Sequence, residues 1–436
     1  MLAHKSIVLV YFYSLLAVAV SAWIGVSVQD LLRLPVVNAR LIDVVLVVNF
    51  GISAVAFWNY WIGGARATHR KLDLLQKLII LYLLFETVQL ARTLGAIDVQ
   101  AQASYFVATL CMLIILYFSI EDVTPGVHEF VLWASFTGAC TVIIIVAMQL
   151  FGLATGFAYS GQWERVEFDV LGGKETISNS VLIPLVLTHS VIVHELQLSG
   201  VKKVVYRIAF AALFINLVFV VVRGLLAMWA AVLFFFVPFA RKRSVKSLTR
   251  TVVSIVVIGG LTFLFLGDTL TTLGYNPLVK LQETFGYATD VDNPGWDKGR
   301  GFAQAAALSV WLDHFWLGTG YDEVSNIVDV DISPHNGLIT SLFHRGVLGT
   351  AILFSIILMC FGRSIKLWKQ SRDLAVREQL LNRSLVFVAW LWLIPFITQD
   401  MLWERYSLSI QFIYFGIIVG LERYYRTNVS TAGAGR

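Results

Sequence analysis

Apolar runs long enough to cross a bilayer recur along the whole chain, and they constrain its fold more than any other feature. A membrane-spanning helix needs about 20 mostly apolar residues. Twelve stretches meet that need: 6–28, 40–62, 77–95, 104–121, 130–151, 180–198, 207–222, 224–240, 250–267, 337–361, 384–398 and 408–421. The seventh, eighth, eleventh and twelfth are short and would borrow flanking residues. Composition agrees. Hydrophobic side chains make up 58% of the 436 residues and charged ones 14%, whereas a soluble domain carries about 45–50% and about 25%. Neither a water-soluble globule nor a disordered chain fits, and 8 Pro and 3 Cys are too few for a collagen-like or disulfide-scaffold protein. The reading is an all-α polytopic membrane protein with about 12 transmembrane helices.

Charge sets the direction of the spans, because Lys and Arg accumulate in cytoplasmic loops. With the N-terminus inside, 22 of the 33 Lys and Arg residues fall on the cytoplasmic side, among them Arg66, Arg70, Lys71, Arg241, Lys242, Arg243, Arg363, Arg377, Arg423 and Arg426. Both termini are then cytoplasmic, in keeping with an even number of spans. This topology accounts for the net charge of +5, so the implied partner is the lipid bilayer and no nucleic acid. The first run follows Lys5 as a signal peptide would, but it exceeds the roughly 7–15-residue apolar core of a signal and is expected to stay as an anchor. Cys111, Cys140 and Cys360 lie in apolar runs and read as small core residues.

Two outer connections, 152–179 and 268–336, are too long for turns; structureless connections beyond about 15 residues are usually functional. The chain therefore divides into spans one to nine over 1–267, a large outer loop over 268–336, spans ten to twelve over 337–421, and a cytoplasmic tail over 422–436. Within the loop, 301–315 reads as a helix, with Phe302, Ala305, Ala306, Leu308, Leu312 and Phe315 near a 3.6-residue period. Trp311 and Trp316 suit a helix lying at the membrane surface.

Ionisable and polar groups inside spans are costly and usually face a cavity or a partner. The set is small: Asp43, Asn49, Glu86, Arg92, His189, His194, Glu195, His344 and Arg345. A proton-coupled transporter or flippase would place such groups at the midplane and depend on Asp43 or Glu86. The more informative groups lie at the expected outer ends instead: Arg223 between the seventh and eighth spans, and His335 with Asn336 at the entry to the tenth. Arg223 alone could be a snorkelling cation, and His335 a helix cap after Pro334. Asp290 with Asp292, and Asp329 with Asp331, look like metal-holding carboxylate pairs, but such patterns are common in an acidic loop and no metal is expected. Gly318-Thr319-Gly320 is a tight turn before anything else.

The segment Pro334-His335-Asn336-Gly337-Leu338, with Gly346 after nine intervening residues and Thr350 after three more, resembles the signature of O-antigen ligases. That signature is His-Asn (or Ser, Gln), nine residues, Gly, three residues, then Gly, Thr or Tyr. Three further elements resemble the same ligase/polymerase superfamily in the same order: Arg223-Gly224 opening a span, Gly299-Arg300 beginning the surface helix, and Gly318-Thr319-Gly320 before the histidine. The resemblance covers 220–350 by motif and the chain by topology.

It implies a C-type glycosyltransferase-like bundle acting at the periplasmic face of a bacterial inner membrane, with 268–336 as its periplasmic loop. The donor would be a glycan on undecaprenyl diphosphate and the acceptor lipid A core or a growing glycan. Transfer would be inverting and metal-independent, with no cofactor. Arginine forks stabilise phosphate oxygens, which assigns diphosphate binding to Arg223 and Arg300, with Arg345 as a third candidate. His335 would take the acceptor proton, since imidazole is the natural base near neutral pH. Asn336, Gly318 and Gly320 would support the site. The loop 268–336 holds ten acidic residues against Lys280, Lys298 and Arg300, which keeps a polymerase open as the alternative to a ligase.

Overall fold

The computed structural model describes residues 73–93, 126–155, 159–160, 166–167, 182–196, 200–220, 223–236, 300–320, 336–398 and 405–433, with positions 48 and 51. The expected spans at 6–28, 104–121 and 250–267, most of 40–62, and the segments 268–299 and 321–335 lie outside the described residues. The described chain is helical, apart from a two-residue antiparallel ladder pairing Tyr159 with Glu167 and Ser160 with Val166. Three of its helices are long and apolar enough to cross a membrane: Leu74–Arg92, Val127–Ile144 and Gly337–Asp373.

The helices are α1 Leu74–Thr93, α2 Val127–Thr155, α3 Leu182–Glu195, α4 Val201–Val220, α5 Arg223–Ala231, α6 Arg300–Asp313, α7 Gly337–Gln370, α8 Val376–Leu391, α9 Leu393–Thr398 and α10 Arg405–Gly433. α5 runs on into a π-helical turn, Val232–Phe236. Each falls on an expected span or on the expected surface helix. The short seventh and twelfth spans do extend into flanking sequence, as α4 and α10. The eleventh is divided into α8 and α9. Pro395 explains the division: it lacks an N–H, and its ring clashes with the carbonyl four residues back, here Leu391.

The chain forms two compact units. In the first, α1 begins with a reciprocal cap. The Asp73 carboxylate accepts from Gln76 N and the Gln76 amide oxygen accepts from Asp73 N, both at 2.9 Å, which satisfies two backbone donors that a helix start leaves without partners. Leu75, Ile79, Tyr82, Glu86 and Gln89 recur at three- and four-residue spacing and are buried, while Leu74, Leu81, Leu84 and Val88 are exposed. Outward leucines of this kind suit hydrocarbon rather than water.

α7 runs antiparallel to α1 and is the centre of the unit. Near its C-terminal end Arg363 donates to Glu422 of α10 at 2.7 Å and to Asp73 at 3.0 Å, tying three helices at one end. Close by, Trp390 donates to Ser364 at 2.7 Å and stacks on Trp368 with ring centroids 5.6 Å apart. His128 meets the Asn382 side chain at 2.8 Å. In the second unit, Gly200 takes a positive φ of 78° between α3 and α4. There the Tyr206 hydroxyl donates to Ser135 at 2.7 Å, and Trp229 of α5 packs edge-on against Phe210 and Phe214.

Candidate active site

The signature segment is built on a broken helix. α7 opens with Asn336 as N-cap: its side-chain oxygen accepts from Leu338 N at 3.0 Å and Ile339 N at 3.2 Å. The capping role considered for His335 therefore falls on Asn336. Three turns on, Gly346 leaves the helical conformation with φ 60° and ψ −169°, a region that essentially only glycine occupies. The sequence reading expected an uninterrupted tenth span. The structure replaces it with two helical halves, Gly337 to Arg345 and Val347 onward.

A break of this kind orphans backbone groups, and in a lipid-facing bundle each one left bare costs several kcal/mol. The turn that follows α6 takes them up. Val347 N donates to Phe315 O at 2.9 Å and Leu348 N to Trp316 O at 3.2 Å, in place of the helical carbonyls of Phe343 and His344. Those two carbonyls accept instead from Thr319 N at 2.8 Å and Gly320 N at 3.0 Å. The Thr319 hydroxyl adds a second bond to Phe343 O at 3.1 Å. The Gly-x-Gly element thus has a local reason. Gly318 and Gly320 have φ of 67° and 85°, and a Cβ on Gly318 would run into Gly346 N, the His344 carbonyl carbon and Arg345 N. A Cβ on Gly346 would run into the Trp316–Leu317 peptide. Each glycine leaves room for the backbone of the other's segment.

Side chains finish the arrangement. His344 is buried, with Nδ1 3.0 Å from Gly320 O; a carbonyl only accepts, so Nδ1 carries the proton. Ser341 and Thr350, the last signature residue, pair hydroxyl to hydroxyl at 3.0 Å across the break. Phe343 packs on Ala307 of α6, with Ile339 and Val310 around them. Small residues such as Ala303 and Ala307 let the two backbones approach. The stripe picked out in the sequence faces elsewhere: Phe302 and Leu312 are exposed.

α1 closes the module from the other side. Arg345 is 5% exposed, and its Nε donates to Glu86 and to the Tyr82 hydroxyl, both at 2.7 Å. The Gln89 amide donates to Leu317 O, and the Arg92 guanidinium to Gly318 O. Gly349 leaves room for α1, since a Cβ there would run into the Phe85 ring. Tyr82, Glu86, Gln89 and Arg92 stand at i, i+4, i+7 and i+10 in an otherwise apolar run. That spacing was visible in the sequence, where Glu86 and Arg92 were noted only as isolated interior charges.

The structure brings Gly318, Gly320, Asn336 and Arg345 into this one module. Arg300 is the first residue of α6, which docks on α7. Arg223 is the first residue of α5, in the second unit. His335 lies outside the described residues, as do Asp43, Asn49, Asp290, Asp292, Asp329 and Asp331.

The fold and this module define a polytopic helical membrane protein organised around an interrupted helix and a Gly-x-Gly turn. Residues 208–354, about a third of the chain, match the family described as O-antigen ligase, which supports the resemblance to the O-antigen ligase-like superfamily. The matched range contains every motif residue named above, from Arg223 to Thr350, and leaves α1 outside. No curated protein matches the chain significantly.

Proposed function

We propose that this membrane protein transfers a glycan from undecaprenyl diphosphate to an acceptor at the periplasmic face of a bacterial inner membrane, as an O-antigen ligase whose acceptor is lipid A core. What carries the reading is a coincidence. The family match covers 208–354, and within it the signature residues Asn336, Gly346 and Thr350 cap, break and brace one helix. In the proposed step an acceptor hydroxyl oxygen attacks the anomeric carbon from the face opposite the leaving group. A carbon–oxygen bond forms, the bond to the diphosphate oxygen breaks, and undecaprenyl diphosphate departs. His335 takes the hydroxyl proton, with no metal called on. Arg223 and Arg300 bind the diphosphate and stabilise the charge that grows on it, a contribution that can be the largest in catalysis. Arg345 already shares its charge with Glu86 at 2.7 Å, so we assign it to holding the broken helix rather than to the diphosphate.

A polymerase that extends the lipid-linked glycan is the second reading. The acidity of 268–336 favours it, because ten carboxylates would repel the phosphates of a lipid A core. Transport is disfavoured by the engagement of Glu86 with Arg345. Purified protein given a lipid-diphosphate glycan and lipid A core separates the three. Glycan on lipid A core is the expected product. Longer lipid-linked glycan would replace the ligase reading by the polymerase, and unchanged donor would remove both.

A further inference from the structure

We propose that α1, which lies outside the family-matched segment, supplies positioning residues for the site: Gln89 and Arg92 set the direction of the first half of α7, which starts at the Asn336 cap. The inference rests on the glycosyl-transfer reading above. Its physical basis is the break. A continuous helix fixes the direction of one half relative to the other through its ladder of hydrogen bonds. At Gly346 that ladder is interrupted, and, besides the Ser341–Thr350 hydroxyl pair, the turn 315–320 relates the two halves by bonding to both. Phe315 O and Trp316 O hold the second half, while Thr319 N and Gly320 N hold the first. The two carbonyls between them, Leu317 O and Gly318 O, are the ones that Gln89 and Arg92 engage.

A bonded connection therefore runs from α1 to the middle of the turn, from the turn to Phe343 and His344, and along one short helix to the Asn336 cap. Packing alone would not need donors here, because apolar side chains would fill the same volume in a lipid-like setting. Directional bonds resist rotation where packing lets one surface slide on another. Glu86 and Tyr82, bound to Arg345 at the last residue before the break, act in the same sense.

The test uses the full-length protein in nanodiscs with Gln89→Met, Arg92→Met and Arg92→Lys. The Met variants keep volume and lose the donor, and the Lys variant restores one. Steady-state transfer from a lipid-diphosphate glycan should lose kcat by about 10²-fold in the Met variants, the scale on which small misplacements act. The donor KM should stay unchanged, and Arg92→Lys should recover most of the loss. A loss that appears only as a raised KM, or an unaltered kcat, overturns the proposal. So does a loss that follows the thermal midpoint and is not rescued by Lys. A second measurement does not depend on activity. Spin labels at the exposed positions Leu338 and Leu358, on either side of the break, should give one narrow distance distribution in the unmutated protein and a broadened one in both Met variants. Equal widths overturn the inference even if no transfer is seen, whereas broadening without any transfer removes the glycosyl-transfer reading and leaves the positioning intact. Should Gln89→Met not fold, the more exposed Arg92 pair decides.

Discussion

The side-chain space of Gly318 is filled by Gly346, and that of Gly346 by the peptide just ahead of Gly318. A Cβ on Gly318 would overlap Gly346 N, and one on Gly346 would overlap the peptide between Trp316 and Leu317. Two motif elements that lie 28 residues apart in the chain are therefore one structural device, a helix break and the turn that repairs it.

Alanine at either glycine should be costly. Positive φ alone costs a non-glycine residue about 1–3 kcal/mol, and the overlap with rigid backbone adds to it. Thermal unfolding in detergent should show Gly346→Ala and Gly318→Ala lowered by several degrees. The double variant should be less destabilised than the two single effects added, because both remove the same docked turn. Additive losses would show that turn and break are independent.

The Glu86–Arg345 pair is 2% and 7% exposed at its side chains. Removing one partner of a buried pair typically costs about 3–5 kcal/mol, while replacing both by apolar groups is often neutral. Glu86→Leu and Arg345→Met should each be severely destabilised, and their combination should recover much of the loss in a thermal double-mutant cycle. A combination worse than either single change would mean that the charges act separately.

Asn336 is a cap and should behave as one. Asn336→Ala should cost about 1 kcal/mol, the usual loss for an N-cap, and Asn336→Ser or Asn336→Asp very little. Thermal midpoints of the three variants check this. The signature tolerates Ser at this place, as a capping role would allow. If Asn336→Ser lost transfer with its stability intact, the residue would have a chemical role beyond the cap.

The sequence made some of this legible and hid the rest for physical reasons. Long apolar runs revealed α1, α2 and α7 because the bilayer imposes a length. Gly318-Thr319-Gly320 was readable as a turn, since paired glycines permit positive φ. The break at Gly346 was not readable. A lone glycine inside an apolar run is compatible with a continuous helix, and only a docked turn 28 residues upstream makes the interrupted form stable. The roles of Gln89 and Arg92 were not readable because their partners are backbone carbonyls, which leave no mark in a sequence. Arg345 stood as a third candidate for the diphosphate because its carboxylate partner, 259 residues away, is not visible as a neighbour in the sequence.

In the proposed transfer everything turns on the His335 imidazole, next in the chain to the Asn336 cap. His335→Ala, assayed in nanodiscs beside the unmutated protein at equal folded amount and with the same lipid-diphosphate glycan, tests it most directly. The account predicts that transfer is abolished while the donor is still bound and the thermal midpoint is unchanged. Transfer at near-normal rate by His335→Ala would contradict it.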